Sequence, residues 1–258
     1  MVLGEQDIDE FRTRGYWVQR QCFDPAAVST ISDWLDGLQA PAAGSKPTGE
    51  ACYYEQSPVT GEGILVRVEH FLGAHNPEVT RLLLAPPILA TCAQLLGEPP
   101  VLFKEKVNYK LPGCRADKLH QDQAAGWNAY ADFFITMAVA IDANRRDNAA
   151  LSFLSSGNYD HHGLMGPEWQ PLTEVDPPYD PPGDYALIEA DPGDAIFFDS
   201  YVPHGSPPNT SARPRRNVYI TFNRLSAGDL RQRYYQEKWA SYPPNDPARL
   251  RSAGAYRV

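Results

Sequence analysis

The sequence predicts a mainly β protein with flanking helices, built on a double-stranded β-helix (jelly-roll) core, and three observations carry that expectation. Short apolar segments with period-two alternation recur along the chain, separated by turn residues that include 24 prolines and 19 glycines; strands this short and numerous are the pattern of a double-sheet fold. Segments with helical spacing lie toward the front of the chain, where they can pack on one face of such a sheet. Histidine and aspartate border several of the apolar segments, at places where a strand scaffold can bring distant residues together.

Residues 9–14 followed by Gly15 read as a short helix with a glycine stop, leading into the apolar strand Tyr16-Trp17-Val18. Asp24 before Pro25 opens a second helix. Aspartate is a good N-cap, proline suits the first helical position, and Val28, Ile31, Trp34, Leu35 and Leu38 follow helical spacing. Residues 40–57 turn to proline, alanine, glycine and lysine and read as a mobile loop, a candidate lid. Residues 64–71 read as a strand with Arg67 and Glu69 on one face, and a helical segment around 87–96 ends at Gly97. In residues 101–110 the alternation places Lys104, Lys106 and Asn108 together. Pro112-Gly113 turns the chain toward His120, and residues 133–141 are the most apolar run and suit a central strand. Residues 151–154, 186–188, 195–198 and 217–222 complete the set.

Length and composition bound the function. With 258 residues, 43% hydrophobic and 21% charged, the chain is expected to form a single catalytic domain over 1–258, with N-terminal helices and a C-terminal extension. A formal charge of -9 supplies no basic footprint for nucleic acid. No apolar run is long enough to span a bilayer, and the acidic N-terminus lacks the basic and apolar regions of a signal peptide, so a cytoplasmic location is expected. Cys22, Cys52, Cys92 and Cys114 are scattered without metal or redox spacing and read as reduced thiols.

The chemistry is expected around His120 and Asp122. On a strand, a His-x-Asp pair points an imidazole and a carboxylate to the same face. His204, after the turn Pro192-Gly193-Asp194 and a short apolar strand, supplies a third ligand. Two imidazoles and one carboxylate leave cis positions open on Fe(II), whereas zinc hydrolases more often show helical histidine pairs or cysteines. After His204 come Arg213, Arg215 and Arg216; an arginine fork is what a dicarboxylate co-substrate needs. Arg215, Asn217, Tyr219 and Thr221 share one face of the final strand. His161-His162 reads as a solvated loop pair, and His70 and His75 as structural.

These residues resemble the phytanoyl-CoA dioxygenase family of Fe(II)- and 2-oxoglutarate-dependent oxygenases. The resemblance runs from about residue 11 to residue 222 and rests on His120, Asp122, Pro192-Gly193-Asp194, His204-Gly205-Ser206 and Arg215, eleven residues after His204. It implies iron held by His120, Asp122 and His204, 2-oxoglutarate held by Arg215 with Ser206, Asn108 and Asn217, and O2 as the second co-substrate. The retained Asp122 implies hydroxylation or another oxidation rather than halogenation. Trp127 resembles an active-site tryptophan of ectoine hydroxylases. Arg67-Val68-Glu69 and the run from Phe103 to Gly113 resemble bacterial hydroxylases of aminoalkylphosphonates and related zwitterions.

The substrate expected is a small polar metabolite or natural-product intermediate, with Lys104, Lys106 and Arg67 toward an anionic group. Tyr53, Tyr54, Trp127 and Tyr130 are candidates for an apolar wall or a cage around a quaternary ammonium. The chain departs from the family's Asn-Gly-x-Leu pattern at Asn148-Ala149-Ala150-Leu151, followed by Ser155-Ser156-Gly157-Asn158 instead of Pro-Gly-Ser-His. Two other classes fit the triad alone: a zinc hydrolase on a cupin-like barrel, and a non-catalytic jelly-roll binding protein. Neither requires the arginine at position 215. The oligomeric state, the carbon attacked, and the choice among hydroxylation, desaturation and cyclisation are left open.

Overall fold

A computed structural model of the chain describes residues 2–39, 50–56, 60–61, 63–155, 159–164 and 184–245. Helix α1 (Glu5–Arg14) begins earlier than its apolar spacing predicts, because the Gly4 amide donates to Asp7 at 3.0 Å. It ends at Gly15, whose φ of 74° is left-handed, and a Cβ there would overlap the Tyr159 hydroxyl. After β1 (Tyr16–Gln19), Asp24 caps α2 (Pro25–Gln39) as expected, accepting the Ala27 amide at 2.8 Å.

Part of the anticipated 40–57 loop is a strand. β2 (Ala51–Gln56) pairs antiparallel with β3 (Gly63–Glu69), an outcome that Cys52-Tyr53-Tyr54 favours once a neighbouring strand is present. The lid expected at 40–49 and 57 lies outside the described residues. Two helices follow, α3 (Pro77–Leu83), which the sequence reading missed, and α4 (Pro86–Leu96), capped by left-handed Gly97. No single helix among the described residues is long and apolar enough to cross a membrane.

The remaining strands are β4 (Pro100–Lys110), β5 (Asp117–His120), β6 (Phe134–Ala140), β7 (Leu151–Leu154), β8 (Tyr185–Ile188), β9 (Ala195–Asp199), β10 (His204–Ser206) and β11 (Arg215–Arg224). They form a seven-stranded sheet in the order β1-β9-β6-β11-β4-β3-β2 and a four-stranded sheet in the order β5-β10-β7-β8. A final helix, α5 (Arg231–Ser241), packs against β4 and was not anticipated; its polar sequence hides a buried stripe of Tyr234, Tyr235 and Lys238 at helical spacing.

The outer face of the large sheet carries Val107, Ile135, Met137, Val139, Phe197, Val218 and Ile220 into the main core. There it meets Ile31 and Leu35 of α2 and Cys92 and Leu96 of α4. The inner face differs. Toward β1 it is apolar, with Tyr16, Ala138, Phe198 and Tyr219 packed on Phe153 of the small sheet. Toward β4 it is polar, and that is where the site residues gather.

The turn at Gly193 (φ 93°) docks the front of the chain on β9. A Cβ there would meet the Phe23 carbonyl at 2.4 Å, while Asp194 accepts the Gln21 amide and the Arg20 guanidinium at 2.8 and 2.7 Å.

Candidate active site

His120 ends β5 and His204 begins β10, and the two stand opposite each other in register. Asp122 is not on the strand as expected. The partner strand starts at His204, so past His120 the chain has no ladder to join and enters a 3-10 turn, Asp122–Ala125. That turn still delivers the carboxylate to the imidazoles: ligand atoms of the three residues lie within 4.8 Å of one another.

Each imidazole is oriented by a carbonyl. His120 Nδ1 lies 2.8 Å from the Lys118 oxygen and His204 Nδ1 2.9 Å from the Val202 oxygen. A carbonyl can only accept, so Nδ1 carries the hydrogen and the Nε2 lone pairs are left to face Asp122 at 3.6 and 4.0 Å. Asp122 Oδ1 is buried without a hydrogen-bond partner. Burial opposes its ionisation, yet the two imidazoles and Lys106 hold its carboxyl below the usual range; burial, with His120 beside it, pushes His204 down to about 4. The set is therefore two imidazole nitrogens and one carboxylate, the donor chemistry of the facial triad.

Arg215 is completely buried. Nη1 donates to the Tyr219 hydroxyl at 3.2 Å and Nη2 to the Ala149 carbonyl at 2.8 Å, while Nε has no partner and no carboxylate pairs with the guanidinium among the described residues. Asn108 and Asn217 face each other across β4 and β11. Asn217 exchanges hydrogen bonds with Asn144 at 2.9 and 3.1 Å, whereas Asn108 Oδ1 is buried without a partner. Ser206 donates to Asp117 at 3.2 Å, an aspartate also paired with Lys110 at 2.9 Å. Ser206 and Asn217 are thus engaged by protein groups, and Arg215 and Asn108 keep hydrogen-bonding capacity.

β4 is an interior strand, so its lysines are not the solvent-facing residues of a sheet edge. Lys104 is 1% exposed, and its ammonium has no hydrogen-bond partner; it sits 5.1 Å from the Trp127 ring and 5.3 Å from the Tyr234 ring. Lys106 is buried with its ammonium 5.2 Å from the Tyr219 ring. Burial, reinforced by neighbouring cations, lowers both lysines from their ordinary value. Arg67 approaches Glu69 at 3.6 Å. The expected cage for a substrate ammonium is occupied by the protein's own cations: Lys104 covers Trp127, and Lys238 lies 5.4 Å from the Tyr53 ring.

With this geometry in place, comparison with known proteins is decisive. The family model described as Phytanoyl-CoA dioxygenase (PhyH) matches residues 11–217. The chain belongs to this family. It is accordingly an oxidoreductase of the Fe(II)- and 2-oxoglutarate-dependent class. It is 35% identical to a 2-aminoethylphosphonate dioxygenase from Uncultured bacterium HF130_AEPn_1, over 91% of this chain and 87% of that protein. It is 32% identical to a methylphosphonate hydroxylase from Gimesia maris, over 95% of this chain and 90% of that protein. Its fold matches that of iron-bound EctD from S. alaskensis with a TM-score of 0.68, 19% identity, and coverage of 87% of this chain and 78% of that one.

Several residues that shape the site of this dioxygenase escaped the sequence reading. Glu69 is fully buried, and both its oxygens lie 2.7 Å from Lys238 of α5, beyond the family match. Gln121, between the two ligand residues, donates to the Tyr201 and Gly163 carbonyls at 2.7 and 3.1 Å. Asp199 accepts the Tyr201 and Val202 amides at 2.9 and 2.7 Å and so shapes the turn into His204. His161 is not a solvated loop residue. It lies 3.0 Å from that same aspartate, beside Tyr159, because the buried carboxylate has a second oxygen to satisfy. The available signal was an aspartate at a strand end, directly before a turn.

Proposed function

We propose that this dioxygenase binds Fe(II) through His120, Asp122 and His204, binds 2-oxoglutarate through Arg215 and Asn108, and hydroxylates a small anionic metabolite. Arg215 carries the reading. A wholly buried guanidinium with a free Nε and, among the described residues, no acidic partner is costly unless a carboxylate arrives to pair with it. A zinc hydrolase or a vestigial binding protein has no use for that residue.

When bound, iron with 2-oxoglutarate and O2 supplies the oxidising power, with succinate and CO2 released as the substrate C–H is hydroxylated. The chain's own share is orientation and exclusion of water. The Lys118 and Val202 carbonyls fix the ligand tautomers, and the Arg215 fork sets the far end of the co-substrate. Ser206 and Asn217 support the site indirectly, by holding Asp117 and Asn144. Lys104, Lys106 and Arg67, with Trp127 beneath Lys104, face the substrate. The relatives named for 2-aminoethylphosphonate and methylphosphonate support an organophosphonate or similarly charged small molecule. Helices and both sheets packed on shared cores support one catalytic domain.

Anaerobic titration of the apo-protein with Fe(II) and 2-oxoglutarate tests this. The chelate is expected to give a weak visible charge-transfer band, which Arg215→Met reaches only at much higher 2-oxoglutarate. Iron bound without any band would overturn the proposal.

A further inference from the structure

Among the described residues the buried charges around Lys104 do not balance. Arg67, Lys104, Lys106 and Lys238 act on one another electrostatically there, and Glu69 is the carboxylate that Lys238 and Arg67 contact. Asp122 belongs to the metal ligands, and Asp117 is taken by Lys110 and Arg115. Glu69 gives both oxygens to Lys238 and stands 3.6 Å from Arg67, so it has little left for Lys104. The Tyr234 ring lies 5.3 Å from the Lys104 ammonium and 5.8 Å from that of Lys238. A buried ammonium without a hydrogen-bond partner is tolerated where a guest anion completes it.

We propose that α5 completes the substrate site, and that Lys104 and Lys106 receive a doubly charged tetrahedral oxyanion, the terminal group of a phosphonate or phosphomonoester. This rests on the iron and 2-oxoglutarate reading above. Lys238 acts through Glu69 as a positioning residue: by holding both carboxylate oxygens it keeps Glu69 from neutralising Lys104. A singly charged sulfonate or carboxylate leaves one ammonium uncompensated. The family match ends at residue 217, so the device lies partly in a segment that the family pattern does not cover.

The test uses the anaerobic protein loaded with Fe(II) and 2-oxoglutarate, titrated at neutral pH, where the buried lysines are not pushed toward their neutral form, with methylphosphonate, methyl phosphate and methanesulfonate, and read by tryptophan fluorescence and by displacement of the chelate band. At least one of the two dianions is expected to bind about 10- to 100-fold more tightly than methanesulfonate, the worth of one extra charge-assisted contact. Whichever dianion binds better identifies the source of the group. Lys104→Met should lose a similar factor while keeping the chelate band, and Lys104→Arg should restore much of it. Lys238→Met should weaken dianion binding, and adding Glu69→Gln to it should recover that binding, because no carboxylate then competes for Lys104.

Equal affinity for sulfonate and dianions, or unchanged dianion binding in Lys104→Met, would overturn the proposal, as would the double variant staying as weak as Lys238→Met. Should either Lys238 variant fail to fold, the Lys104 variants and the ligand panel decide alone. Loss of the chelate band in the wild type would instead count against the iron reading, and the two failures are thereby separate.

Discussion

Arg215 and Arg216 are neighbours on β11 and have opposite surroundings. Arg216, on the outer face, is paired with two carboxylates: Asp142 takes Nε and Nη2 at 2.8 Å, Asp36 takes Nη1 at 2.6 Å, and Ser32 takes Nη2 at 2.9 Å. It clips α2 to the sheet. Arg215, on the inner face, is buried more deeply and has a hydroxyl, a carbonyl and an empty Nε. Among the described residues the fold supplies counter-ions to one arginine and none to the next, and the proposed co-substrate role of Arg215 rests on that contrast. Glu69 repeats the contrast, giving both oxygens to Lys238 while the ammonium of Lys104 is left without a hydrogen bond.

The largest test of that contrast is Asp122→Ala. It should abolish iron binding and turnover, measured by metal analysis and succinate release, while the iron-free protein keeps or gains stability, because a buried carboxylate without a hydrogen bond on Oδ1 has been removed. Marked destabilisation of the metal-free variant would make Asp122 an ordinary structural residue.

The arginines come next. Arg216→Met should lower the unfolding free energy by about 3 kcal/mol, as expected for breaking a buried pair, with 2-oxoglutarate binding kept. Arg215→Met should leave urea stability nearly unchanged and raise the half-saturating 2-oxoglutarate by about 100-fold or more, the cost of losing a buried charged partner. If both variants lose the same stability, the comparison fails.

Acid stability sharpens the Glu69 side. Burial alone would raise its pKa, but Lys238, Lys104 and Arg67 hold it down to about 2. A carboxylate whose folded value is depressed stabilises the fold above its unfolded value near 4.5 and loses that contribution as pH falls toward 2. The limb should amount to about 3 kcal/mol at most. Urea unfolding followed from pH 5 downward should show it in the wild type and a flatter profile in Glu69→Gln, which is also less stable at neutral pH because Lys238 is then buried without a counter-charge.

The smallest effect concerns Ala149, whose carbonyl receives Arg215 and whose φ is 73°. Ala149→Gly should stabilise the protein by about 1 kcal/mol, since glycine adopts this conformation without steric cost. A destabilised variant would mean that the methyl's packing outweighs the backbone strain.

The legible parts of the molecule were those with a local signal. Asp24-Pro25 marked a helix start, Gly15 and Gly97 marked helix stops, and alternation in 101–110 placed Lys104, Lys106 and Asn108 on one face. The His-x-Asp pair and Arg215 were legible through their spacing. β2 was hidden behind a proline- and glycine-rich run, and α5 by its polar surface. The ties of Glu69 to Lys238 and of His161 to Asp199 span 169 and 38 residues, and no local pattern announces a partner that far away.

By itself the sequence determined which side chains share a strand face, because the two-residue period of a β-strand is a local property. The His-x-Asp spacing was equally local, although Asp122 reaches the imidazoles from a 3-10 turn and not from the strand. Only the tertiary structure decided which face became apolar core and which became a buried, charged surface, and which cations received counter-ions. Burial and charge balance depend on what packs opposite, and for Lys104 what packs opposite includes a helix more than a hundred residues further along the chain.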